Sequence, residues 1–179
     1  YSLAPHLAVQ LGAKVQYALS LSQTLGWKEE SQEVASLVAR FSDVGHFLLG
    51  IPGGPFTPLP IDPPLDHRTR AHPEAGRDFL SLFPLPAEVL EGVAAHHERW
   101  DGQGYPRGLA AEAIPPSARL VLVVDLYLAL AWPFGPKPPS PHEKILEFLQ
   151  KEAGRSLDPE MVAGFLHLHK IPEEGGEVP

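Results

Sequence analysis

Cysteine is absent from the chain, which excludes disulfide scaffolds, Cys-ligated zinc, iron–sulfur clusters and thiol nucleophiles. Asparagine is absent as well, while proline occurs 21 times. Few thermolabile amides with proline-rich loops are a thermophile pattern, a hint of source and not of function. Basic residues are in the minority, 14 Lys plus Arg against 22 Asp plus Glu, for a net charge of −8. That balance argues against a general nucleic-acid binder, whose footprint is basic. It leaves room for a small phosphorylated ligand held through a metal. No apolar run reaches the roughly 18 residues that span a bilayer. The longest, Leu120 to Leu130, is interrupted by Asp125. No basic-then-apolar leader opens the chain, and a cytoplasmic location is expected. Helical periodicity begins almost at Tyr1, so an upstream domain is expected to precede it.

What is present is a globular composition: 179 residues, 44% hydrophobic and 20% charged, enough for one domain with a core. Leu7, Leu11, Val15, Ala18, Leu21 and Leu25 recur at helical spacing and predict a helix over Leu3–Leu25, stopped by Gly26. Further helices are expected over Glu29–Phe41, around Ser42–Leu49 as a short turn, over Arg70–Phe83, and over Ala87–His97 with Pro86 at its first turn. Pro115-Pro116 opens an apolar helix to about Ala131. Ser140, Pro141 and Glu143 suggest a capping box, and Asp158-Pro159 starts a last helix. Period-2 alternation and internal repeats are missing. The expected fold is an all-α bundle of about seven helices with long Pro/Gly-rich loops. It would cover residues 1–170, followed by a frayed acidic tail at 171–179. Ile51–Pro64 reads as an extended loop of a length often used for binding or as a lid.

The nine histidines are where metal chemistry is to be sought. The densest signal runs His96-His97-Glu98-Arg99-Trp100-Asp101-Gly102-Gln103-Gly104-Tyr105-Pro106-Arg107-Gly108-Leu109. Adjacent histidines at a helix end can face a metal when neighbouring helices supply the other ligands. Gly102 and Gly104 permit a tight turn after Asp101, and Pro106 stiffens its exit. A bare His pair is more often solvated than ligating. His67, His142, His167 and His169 read as solvent-facing.

The full string resembles the HD-GYP family of cyclic di-GMP phosphodiesterases, within the HD superfamily. His96, His97, Glu98, Asp101, Gly102, Gly104, Tyr105, Pro106, Gly108 and Leu109 fit its hallmark. The resemblance extends to His72-Pro73 with Gly76, to Ile114-Pro115 through Asp125, and to Leu157-Asp158-Pro159 through Phe165. It implies a helical domain holding two or three iron or manganese ions that activate a water against a phosphodiester.

The family pattern is only partly kept. The HD dyad falls on Ser42-Asp43, so its histidine is serine. The lysine that follows it is His46, which would act with Asp43 if the domain is active. The first-helix histidine falls on Gln10, and an acidic ligand of trinuclear members falls on His6, one turn away. Asp43, His72, His96, His97 and Asp125 are the retained metal ligands. Of these, Asp43, His72, His96 and His97 imply one iron or manganese site. The partner site, Gln10, Ser42, Asp43 and Asp125, is incomplete. Ser42 also reads as an N-cap for the turn at Asp43. Where the family carries an Arg-Pro-Tyr-Arg stretch, Phe134 replaces the first arginine and Lys137 stands for the last basic residue. A lysine lacks arginine's bidentate fork for phosphate.

Asp101, Gly102, Gly104, Tyr105, Pro106 and Lys137 are the expected ligand or partner contacts. The implied partners are cyclic di-GMP and, through the Gly-Tyr-Pro loop, a diguanylate cyclase domain. Lost metal residues beside an intact loop favour a binding or interaction module with lost or weakened hydrolysis. An active phosphodiesterase with an altered metal site is the alternative.

Overall fold

The computed structural model describes residues 3–51, 66–133 and 138–169, with side chains from residue 9 onward. The side chain of His6, nearly all of the Ile51–Pro64 loop, Phe134, Lys137 and the 171–179 tail lie outside the described residues.

Eight α-helices are found among the described residues: α1 (Leu3–Thr24), α2 (Glu29–Phe41), α3 (Val44–Leu48), α4 (His67–Leu80), α5 (Ala87–Ala95), α6 (Pro116–Ala131), α7 (His142–Glu152) and α8 (Pro159–Leu168). No strand occurs among them, only an isolated bridge between Ala153 and Leu157. None is long and apolar enough to cross a membrane.

Helix α6 is the axis of the bundle. Its apolar residues run all round the helix, as a helix surrounded by others requires, and Leu120 through Val124 are all buried. Helices α1, α2, α5, α7 and α8 pack around it. Asp125 is carried into this apolar centre because it sits in the middle of α6. Helix α1 also packs on α2 and α8, through Val15, Ala18 and Leu21.

Several helix boundaries follow from local chemistry. Asp66 caps α4, its carboxylate accepting from the backbone N–H of Arg68 and Thr69, so α4 starts three residues before the expected Arg70 and ends at Leu80. Asp158 caps α8 and Pro159 takes its first turn. The capping box at Ser140 does not form: Pro141 is the N-cap of α7, with no side-chain bond. Asp43, not Ser42, takes the N-cap position of α3, and the Ser42 hydroxyl is used elsewhere.

Helices α3 and α4 touch backbone to backbone. A Cβ on Gly45 would collide with the carbonyl oxygen of His72, so only glycine permits this approach. It brings the Asp43 end of α3 against the His72 turn of α4.

Candidate metal centre

Four side chains from three places in the chain converge: Asp43 before α3, His72 in α4, and His96 and His97 at the end of α5. One ligand atom from each lies within 4.8 Å of the others, and all four residues are buried. Pro73 helps aim His72. Proline has no N–H, so the Thr69 carbonyl four residues earlier is left free for the ring. His72 Nδ1 donates to it at 2.6 Å. His96 Nδ1 likewise donates to Val93 O, a last-turn carbonyl of α5, at 2.7 Å.

These two bonds fix the tautomers, because a carbonyl can only accept. Both Nε2 atoms therefore carry lone pairs, and they face each other at 3.1 Å. Two acceptors at that distance repel unless a cation lies between them. A six-coordinate ion with nitrogen at about 2.1 Å would separate adjacent ligands by about 3 Å. His97 Nδ1 is also buried without a hydrogen-bond partner. The residues fit a metal ion bound by three imidazoles and a carboxylate, with backbone carbonyls orienting two of the rings.

The electrostatics keep the ligands in their binding forms. Burial pushes His96 down to about 4 and His72 down to about 2, with neighbouring imidazoles adding to the shift at His72. His97 is driven well below its ordinary value by burial, then by His96 and His72. Burial alone would raise the Asp43 carboxyl, but Lys14 beside it, together with His96 and His72, outweighs this and holds it at about 2.

The residues expected at a second ion are arranged differently. Lys14 of α1, which the sequence reading passed over, is fully buried. Its Nζ donates to Ser42 Oγ at 2.7 Å and Asp43 Oδ2 at 2.8 Å, and pairs with Asp125 Oδ1 at 2.7 Å. Asp125 thus lies beside an ammonium and outside the four-ligand group, although it was expected among the ligands. Burial, then the nearby Asp43 charge, raises Asp125 to about 7 against the pull of Lys14. Gln10 does not turn inward: its Nε2 donates to the Trp132 carbonyl at 3.1 Å.

His46 is buried with both ring nitrogens unpartnered, its ring centroid 3.8 Å from that of His72. It is 3.9 Å from Asp43 Oδ1 and not part of the four-ligand group. His67, His142 and His167 are exposed, as expected. His169 is not free in solvent. Its ring packs against Tyr17, Tyr127, His142 and Phe165, and its Nε2 is buried.

The turn after His97 is tied to the centre. Buried Glu98 accepts from the backbone N–H of Arg107 at 2.7 Å and of Leu109 at 2.9 Å, closing the loop. A Cβ on Gly104 would collide with the backbone nitrogen of Arg99, so the chain folds back on itself only with glycine there. Tyr105 is therefore buried, 3% exposed, and stacks on His97 with centroids 4.8 Å apart. The Tyr105–Pro106 peptide is cis. Asp101 stays on the surface, bound by the Arg99 guanidinium and the Gln103 N–H. The exposed Arg70 lies over the outer side of this assembly, its guanidinium 5.4 Å from the Tyr105 ring centre. Sequence reasoning missed Arg70; its signal was a cation two residues before His72, on the same helix. A groove lined by Trp27, Val34, Pro115, Arg119 and Met161 touches none of the metal-ligand residues and is a separate feature.

Comparison with known proteins agrees with this architecture. Residues 2–161 match the HD domain family. The chain is 31% identical over 156 residues to a cyclic di-GMP phosphodiesterase of Thermotoga maritima, covering 84% of this chain and 41% of that one. It is 31% identical over 160 residues to a 3'3'-cGAMP-specific phosphodiesterase of Vibrio cholerae, covering 86% and 30%. Among solved structures, a cyclic GMP-AMP-specific phosphodiesterase of V. cholerae superposes with a TM-score of 0.71 at 15% identity, over 91% of this chain and 44% of that one. An HDG"Y"P protein of Bdellovibrio bacteriovorus superposes with a TM-score of 0.70 at 19% identity, over 89% and 51%. The chain belongs to the HD domain family, and within it to the HD-GYP kind. It spans less than half the length of those two curated relatives.

Proposed function

We propose that this domain is a cyclic-dinucleotide signalling module of the HD-GYP kind with lost or weakened phosphodiesterase activity, centred on a single iron or manganese ion. The observation that carries this reading is the facing Nε2 pair of His72 and His96, completed by His97 and Asp43. It supports one ion site, while Ser42 and Gln10 offer no imidazole for another. Bound there, the ion would act as a Lewis acid on a phosphoryl oxygen. The chain's own residues supply the surroundings. Tyr105 walls His97 from solvent, and Arg70 offers a guanidinium to a phosphate at the outer edge.

Relatives named for cyclic di-GMP and for 3'3'-cGAMP indicate the ligand class, a cyclic dinucleotide. Two-metal phosphoryl transfer clamps attacking and leaving oxygens together, and one ion cannot do both. Binding is thus expected to outlast hydrolysis. A diguanylate cyclase domain remains the proposed protein partner, through the exposed Asp101, Gln103 and Arg107 side of the loop, since Tyr105 faces inward. Calorimetry and product chromatography with cyclic di-GMP on metal-loaded protein test the reading. Binding with little or no linear product supports it. Turnover matching a two-metal enzyme supports the active alternative instead.

A further inference from the structure

We propose that the Lys14 ammonium is a resident cation that takes the place of a second metal ion and keeps this centre mononuclear. The inference rests on the one-ion reading above and identifies what enforces it. Three of the four residues that the family resemblance assigns to the second ion, Ser42, Asp43 and Asp125, converge on Lys14 Nζ at 2.7–2.8 Å. The fourth, Gln10, turns away to the Trp132 carbonyl. Lys14 stands one turn after Gln10 on α1, so its longer side chain reaches inward from the same helix face.

An ammonium has three donors and no acceptor. Two are donated to Ser42 and Asp43, and the remaining side of the ammonium is taken up by the ion pair with Asp125, so its charge is spent on these oxygens and not on a substrate phosphate. Lys14 is therefore a plug and not a phosphate clamp. A surface role is excluded because its side chain is fully buried. Burying a lysine is costly unless it is paired, and two carboxylates with a hydroxyl supply the pairing. The single positive charge leaves the two carboxylates undercompensated, whereas a divalent ion would neutralise them. Removing Lys14 should thus uncover an oxygen-rich pocket suited to manganese.

The test compares the wild type with Lys14→Ala, both stripped by chelator and then saturated with manganese without oxygen. Bound metal per chain is measured by elemental analysis, and folding by circular dichroism. One ion in the wild type and two in Lys14→Ala are expected. The stripped variant should melt well below the wild type and recover most of that loss with manganese, because the ion replaces the missing charge. Lys14→Ala/Asp125→Asn, relieved of one carboxylate, should fold unaided and return to one ion. Two ions in the wild type would overturn the proposal, whether or not any variant folds. So would a folded Lys14→Ala that still takes one, or one that manganese fails to fold while the double variant folds. Full hydrolysis by a one-ion wild type would sink the proposed loss of activity and leave the role of Lys14 standing.

Discussion

His72 and His96 present their Nε2 lone pairs to each other at 3.1 Å while each Nδ1 is held by a backbone carbonyl. Neither ring can turn without abandoning its carbonyl, so the pair is organised for a cation before one arrives. His96→Ala should cost at least about tenfold in manganese affinity, the usual scale for disturbing a metal shell. Isothermal titration measures it, and unchanged affinity would place the ion elsewhere.

The same burial makes the metal-free fold sensitive to acid. His96 protonates in the fold only near 4, whereas its ordinary value is 6.5. As pH falls below 6.5, the unfolded chain takes up the proton first. The contribution of His96 to stability is present above 6.5 and is lost towards 4, by about 1.4 kcal/mol per pH unit. His72, held down to about 2, adds a loss of the same sign. The urea midpoint of chelated protein should therefore be lower at pH 5 than at pH 7. An equal midpoint would mean that these rings are not buried neutral.

Gly45→Ala should destabilise the fold by about 1–3 kcal/mol, because its methyl would meet the His72 carbonyl and push α3 off α4. Asp43 moves with α3, so metal affinity should fall as well. A thermal melt with a metal titration checks both effects together. Loss of stability with metal affinity intact would separate the helix contact from the site.

Glu98→Ala leaves the Arg107 and Leu109 N–H groups without their acceptor, at a cost of about 1–3 kcal/mol. The loop should then open to limited proteolysis near Tyr105 sooner than in the wild type. Arg70→Ala acts differently. It should weaken cyclic-dinucleotide binding by about tenfold, the scale of one charge-assisted hydrogen bond, and leave the melting temperature nearly unchanged.

Restoring the missing imidazoles alone should not create a phosphodiesterase. Gln10→His/Ser42→His leaves Lys14 among the carboxylates, so metal-dependent hydrolysis should appear only when Lys14→Ala is added. A gain from the double variant by itself would contradict this.

Much of the bundle was legible because its signals are local. The apolar α6, the Asp158-Pro159 start of α8 and the Gly26 stop of α1 depend on neighbours in sequence. The resemblance likewise placed Asp43, His72, His96 and His97, which the fold gathers from three separate regions. Lys14 was not legible for a physical reason. A lysine beside an apolar stripe reads as a snorkelling surface residue, and only tertiary contact with residues 28 and 29 positions away shows it buried. Its one signal was its place a turn after Gln10, on a face continued by Ala18 and Leu21. Locally Ser42 reads as a cap, the default for serine before a helical turn, yet the distant ammonium claims its hydroxyl. The resemblance reads Asp125 as a metal ligand; in the fold its partner is the Lys14 ammonium, which only a tertiary contact reveals, and it lies outside the four-ligand group.

The most direct test of the central claim is the number of ions per wild-type chain. The protein is purified without oxygen, offered iron and manganese, and assayed by elemental analysis. One ion per chain, abolished by His72→Ala, is the predicted result. Two ions per chain, or none, would contradict the account.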